Sequence, residues 1–154
     1  MNELNIPILC MGLTDAVVAA SRRDSGGRKG ALRFLEALRG GHYPPGAFAE
    51  KSWGEFCIVD VEKESLTIRL TLLAGRSMSY HSHEHRDEVW TVLSGSGQVT
   101  LDGARRQVGP GDVVRIPAGC RHMVKADTRL QMIEVQLGRE ISVHDKQKYE
   151  SREM

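Results

Sequence analysis

The stretch Gly75-Arg76-Ser77-Met78-Ser79-Tyr80-His81-Ser82-His83-Glu84-His85-Arg86-Asp87-Glu88-Val89-Trp90-Thr91-Val92-Leu93-Ser94-Gly95 decides the reading of this chain. Between its bounding glycines stand His81, one residue, His83, four residues and Glu88. Residues two apart on a strand face the same side, so His81 and His83 are expected to point together into an interior. The polar run Glu84 to Asp87 suits a turn, and Glu88 then opens the apolar strand Val89 to Leu93, which returns it towards the same cavity. A second block reads Gly111, five residues, Pro117, one residue, Gly119, two residues, His122. It places another imidazole just after a proline-glycine turn.

Outward from these blocks the pattern is that of strands. Val-, Ile- and Thr-rich runs alternate with polar residues over Phe56 to Val61, Leu66 to Leu72, Val89 to Leu93, Gln98 to Leu101, Val113 to Ile116 and Leu130 to Leu137. Asp102-Gly103 suits the positive-φ positions of a tight hairpin, and Gly109-Pro110-Gly111-Asp112 supplies another turn. Many short strands with closely spaced turns predict an all-β sandwich or barrel.

Before Trp53 the reading differs. Ile6 to Val18 reads as a short extended piece closed by a turn at Ser25-Gly26-Gly27. From Arg28 to Arg39, Ala31, Leu32, Leu35 and Leu38 recur at three- and four-residue spacing, which predicts one amphipathic helix stopped by Gly40-Gly41. His42-Tyr43-Pro44-Pro45-Gly46 cannot continue it, because proline lacks the amide donor. The expected organisation is an N-terminal extension over 1–46, a β domain over 47–146 and a polar tail over 147–154.

A length of 154 residues suits one domain. With 21 Lys and Arg against 20 Asp and Glu the net charge is +1, so no overall field recruits nucleic acid or an anionic membrane. Apolar runs fall well short of the roughly 18 residues of a membrane span, and no leader pattern opens the chain. A cytoplasmic location is expected. Cys10, Cys57 and Cys120 form no C-x-x-C pair, which leaves buried thiols as the expectation; Cys120 draws interest because it lies two residues before His122.

His81, His83, Glu88 and His122 together make a mixed nitrogen and oxygen donor set for one divalent ion, Zn, Mn, Fe, Ni or Co, with coordination positions left for substrate. The competing reading of any one histidine is an ordinary surface or hydrogen-bonding residue. His85 is read as a surface or supporting residue, and His42 and His144 as ordinary.

The two blocks resemble the paired motifs of the cupin superfamily, which implies a double-stranded β-helix, or jelly-roll barrel, preceded here by a short strand-plus-helix extension. Met78 to Trp90 is also similar, in register, to the segment of type II mannose-6-phosphate isomerases that reads L-S-L-Q-x-H-x-H-R-A-E-H-W. Trp53-Gly54-Glu55-Phe56 resembles that family's R-P-W-G-x-[FY], and Glu134-Val135-Gln136-Leu137-Gly138 its E-V-Q-x-G. Such isomerases also form the C-terminal cupin domain of a sugar guanylyltransferase, whose Gly-rich nucleotide motif is absent here, so no nucleotidyl transfer is expected. Departures are plain: His81 replaces the family's glutamine, Ser52 a proline and Val89 a histidine, and the acidic tail after Gly138 is largely lost.

The resemblance implies a metal-dependent aldose-ketose isomerase acting on a sugar phosphate, with mannose-6-phosphate and fructose-6-phosphate as the leading pair. Such chemistry needs a polarised carbonyl and a group that shuttles a proton. Glu134 is the candidate base, against a buried structural carboxyl. Arg86 is the candidate for substrate oxygens and phosphate, because a planar fork binds them bidentately. Its competing reading is a salt bridge with Glu84 or Asp87. Arg121 competes for that role, and Trp53 and Trp90 could wall the pocket. A different metal-dependent cupin reaction such as oxygenation, favoured by three histidines and one glutamate, and a non-catalytic sugar sensor remain the alternatives. Open strand edges predict a homodimer.

Overall fold

A computed structural model describes residues Val18–Ala19 and 46–150. The expected extended piece from Ile6 up to Val17, the helix over Arg28 to Arg39 and the linker through Pro45 lie outside the described residues, as does the tail beyond Glu150.

Among the described residues, twelve strands build two antiparallel sheets. In chain order they are β1 (Val18–Ala19), β2 (Phe48–Lys51), β3 (Gly54–Val61), β4 (Ser65–Leu72), β5 (His81–Ser82) and β6 (Asp87–Ser94). There follow β7 (Gly97–Leu101), β8 (Ala104–Val108), β9 (Val113–Ile116), β10 (His122–Ala126), β11 (Leu130–Leu137) and β12 (Gln147–Lys148). One sheet runs β1-β2-β3-β4-β11-β6-β9 and the other β12-β5-β10-β7-β8. The Asp102-Gly103 hairpin joins β7 to β8 with φ of 44° and 84°, the left-handed pair that a two-residue turn requires.

Alternation along the strands fills the space between the sheets. On β11 Leu130, Met132, Glu134 and Gln136 are all buried, and on β6 Glu88, Trp90 and Val92. Register sets these residues level: Met132 opposite Val92 and Leu70, Glu134 opposite Trp90 and Ile68, Gln136 opposite Glu88 and Leu66. The interior is therefore graded along its axis. Leu72, Val92, Ala126, Leu130 and Met132 pack one end, where each fully buried aliphatic side chain contributes about 1.5–3 kcal/mol. Glu88, Gln136, Glu134 and the histidines occupy the other.

Candidate metal centre

Strand pairing brings the two sequence blocks together. His122 on β10 lies directly opposite His81 on β5, and their ring centroids are 4.3 Å apart. Gly119 N, in the proline-glycine turn, donates to His83 O at 2.7 Å, and Ala118 N donates to Asp87 Oδ1 at 2.8 Å. That turn therefore docks on the loop between β5 and β6. His83 reaches the same interior, with its ring 4.8 Å from His81 and 5.3 Å from His122. One nitrogen from each of the three rings lies within 4.8 Å of the others, and all three side chains are buried.

The tautomers follow from the outer contacts. Nδ1 of His81 donates to Ser79 O at 2.7 Å, Nδ1 of His122 to Cys120 O at 2.9 Å, and Nδ1 of His83 to Asp145 O. A carbonyl accepts only, so each Nδ1 carries the hydrogen and each Nε2 is left with its lone pair. Burial, then the nearby Lys146, His122 and His83, hold His81 well below the ordinary imidazole value. Burial also lowers His83, with Glu88 opposing it. A neutral imidazole at His81 or His83 presents the lone pair that a metal ligand needs.

Glu88 faces two of these rings. Its Oε1 stands 3.1 Å from His83 Nε2 and its Oε2 3.3 Å from His122 Nε2. Glu88 Oε2 and His122 Nε2 are buried with no hydrogen-bond partner among the described residues. Two acceptors facing each other at this distance call for something positive between them, and a divalent cation meets that demand with the nitrogen and oxygen donors present. The residues fit a metal ion.

Arg86 lies inside this site rather than at its rim. Its Nε donates to Glu88 Oε1 at 3.1 Å, Nη2 to His83 Nε2 at 3.1 Å and Nη1 to Ser142 O at 3.0 Å. The ion pair that the competing reading assigned to Glu84 or Asp87 is made with Glu88. His83 Nε2 has one lone pair, so Arg86 and a metal ion are alternative partners for it.

Glu134 sits one register step from Glu88, buried, accepting from Trp90 Nε1 at 3.0 Å and from Gln136 Nε2 at 2.6 Å. Burial, then the charge of Glu88, push its carboxyl up to about 7. Trp90 is fully buried, with its ring edge on His122 at 5.4 Å, so it supports both groups. The other named residues are placed elsewhere. Trp53 is partly buried and packs on the hydrophobic core, and the Arg121 guanidinium lies 4.0 Å over the Tyr149 ring. His85 is exposed, and so is His144. The Cys120 thiol is pushed up to about 11 by burial and Asp102, which makes it a poor nucleophile.

Sequence reasoning missed Asp145. Its carbonyl accepts from His83, and its carboxylate accepts from Glu84 N at 2.8 Å and His85 N at 3.0 Å. No periodicity marks its segment, so nothing in the sequence singled it out.

Comparison with known proteins agrees with this geometry. The family described as Cupin domain matches residues 68–136. A mannose-1-phosphate guanylyltransferase of Klebsiella pneumoniae is 30% identical over 134 residues, covering 85% of this chain and 28% of that protein. One from Escherichia coli is 29% identical over the same length, with the same coverage. The chain thus spans less than a third of these relatives. Among solved structures, KdgF from Halomonas sp. superposes with a TM-score of 0.53 at 24% identity, covering 56% of this chain and 79% of that one. Oxalate decarboxylase from Bacillus subtilis gives 0.56 at 21%, covering 61% and 27%. At these identities the likeness is one of fold. No helix among the described residues is long and apolar enough to cross a membrane. Matched in sequence over both histidine blocks, and in fold across the two sheets that bring them together, this chain carries a cupin domain of the all-β cupin fold, with three histidines positioned to bind a metal ion.

Proposed function

We propose that the protein is a metal-dependent isomerase of sugar phosphates, interconverting mannose-6-phosphate and fructose-6-phosphate. The observation that carries this reading is the buried carboxyl of Glu134, held by Trp90 Nε1 and Gln136 Nε2 one register step from Glu88 in the polar end of the barrel, where burial and the charge of Glu88 raise its pKa. A proton shuttle works best with a pKa near the working pH. The motif resemblance over Met78–Trp90 and Glu134–Gly138, and relatives whose names place them in mannose phosphate metabolism, point to the substrate class.

His81, His83, His122 and Glu88 would hold a divalent ion, which would supply Lewis-acid polarisation of a carbonyl oxygen. Glu134 takes the proton from the carbon beside that carbonyl and returns it to the neighbouring carbon, while a hydroxyl proton passes between the two oxygens. Trp90 and Gln136 fix the carboxyl in place by donating to its two oxygens. Were the His83 lone pair engaged by a metal, Arg86 Nη2 would be left to donate to an anionic oxygen of the substrate.

The test is a hexose-phosphate isomerisation assay on protein reloaded with Zn, Mn, Fe, Ni or Co in turn. Turnover of mannose-6-phosphate, with Arg86→Ala raising KM while keeping the metal, is the expected result. Fully metallated protein that neither turns over nor binds any hexose phosphate overturns the reading. The donor set of three histidines and one glutamate also favours a second reading, an oxygenase, for which bound Fe and dioxygen uptake would speak.

A further inference from the structure

We propose that Asp145 is a positioning residue of the metal site, and that the segment Ser142–Tyr149 is the clasp through which it acts. The inference rests on the reading of His81, His83, His122 and Glu88 as metal ligands.

Two of the three imidazoles are oriented locally: His81 by the carbonyl of Ser79 and His122 by that of Cys120, each two residues back. His83 alone depends on a carbonyl 62 residues away in sequence, that of Asp145. The Asp145 side chain locks this contact. Its two carboxylate oxygens accept consecutive amides, Glu84 N and His85 N, and so fix the exposed turn that follows His83. Arg86 Nη1 reaches the same segment, donating to Ser142 O at 3.0 Å and to Asp145 O at 3.4 Å. Beyond Asp145 the chain is pinned again. Gln147 and Lys148 pair with Ser82 and His81, Tyr149 N donates to Tyr80 O at 2.9 Å, and the Tyr149 hydroxyl meets Ser82 Oγ at 2.9 Å. Both sides of the first ligand block are thus held, one by the barrel and one by this clasp. An outer partner that fixes ring orientation and tautomer typically changes metal affinity by about 10–100-fold.

The test uses the full chain with Asp145→Ala, Asp145→Asn and the control Asp112→Ala. Asp112 also accepts a backbone amide, Gly109 N at 2.8 Å, but at the apolar end of the barrel. Titration with Co2+ is expected to show about 10–100-fold weaker binding in Asp145→Ala. Asp145→Asn keeps one acceptor and should lie between it and the parent, while Asp112→Ala should bind as the parent does. Nitrogen-15 spectra of the imidazoles should show His83 leaving its single Nδ1–H tautomer in Asp145→Ala, with His81 and His122 unchanged. Parent-like Co2+ affinity and an unchanged His83 tautomer in a folded Asp145 variant overturn the proposal. If Asp145→Ala does not fold, Asp145→Asn carries the same test. If the parent itself binds no Co2+, the metal reading fails, and the His83 tautomer still decides whether Asp145 positions that ring.

Discussion

Replacing Glu134 by glutamine should change how stability depends on pH, with a sign the structure fixes. The carboxyl moves from its ordinary 4.5 to about 7 on folding, because burial and the charge of Glu88 disfavour its ionised form. Between these two values the folded state holds a proton that the unfolded state has released. Unfolding stability therefore falls as pH rises from about 4.5 to about 7, and levels off above. One pKa unit corresponds to about 1.4 kcal/mol, so the full loss is on the order of 3 kcal/mol. Glu134→Gln removes this titration. It also disturbs the Trp90 Nε1 contact, a cost of roughly 1–2 kcal/mol that does not vary with pH. Urea unfolding of parent and variant in the presence of a chelator, at steps from pH 4.5 to 8, isolates the effect as the difference between the two curves. The variant should gain on the parent by about 3 kcal/mol across that range. Adding a divalent ion should shrink the gain, since a nearby cation favours the carboxylate. A difference that stays flat from pH 4.5 to 8 refutes the assignment of Glu134 as a group poised near neutrality, and with it the proposed base.

Three further outcomes are expected. His83→Ala should lower metal occupancy far more than His85→Ala, as read by elemental analysis, because only His83 is buried beside His81 and His122; equal losses would contradict the site geometry. Gly138→Ala places a Cβ 2.5 Å from the His85 carbonyl oxygen and should destabilise by about 1–3 kcal/mol, whereas Gly109→Ala, with nothing within 4 Å, should leave the melting midpoint unchanged. The proposed homodimer, prompted by β8 and β9, each paired on one side only among the described residues, should appear as twice the chain mass in light scattering at micromolar concentration; a monomer would refute it.

Much of the fold could be read from the sequence because the signals were local. The runs Leu66 to Leu72 and Leu130 to Leu137 coincide with β4 and β11 to within a residue, since strict alternation and β-branched residues mark a half-buried strand. β8 and β10 escaped that reading. Four of the five residues of β8 are exposed, three of them polar, and β10 opens on a histidine and carries a lysine, so neither shows a β-rich run. At the site, spacing alone placed His81 and His83 on one face, and pairing of β5 with β10 then put His122 opposite. The salt bridge weighed as the alternative for Arg86 named its sequence neighbours Glu84 and Asp87, but the strand turns Glu88 inward beside it and makes that carboxylate the one within reach. Asp145 and Tyr149 act through contacts more than sixty residues away, which no local pattern encodes.

The most direct test of the central claim is metal stoichiometry by elemental analysis of protein without a histidine tag, for the parent and for His122→Ala. The parent should hold one divalent ion per chain after loading and dialysis. His122→Ala should hold almost none, because it removes the buried Nε2 that faces Glu88 Oε2 and makes no hydrogen bond among the described residues. A parent that retains no metal, or a His122→Ala variant that retains as much as the parent, would contradict the account.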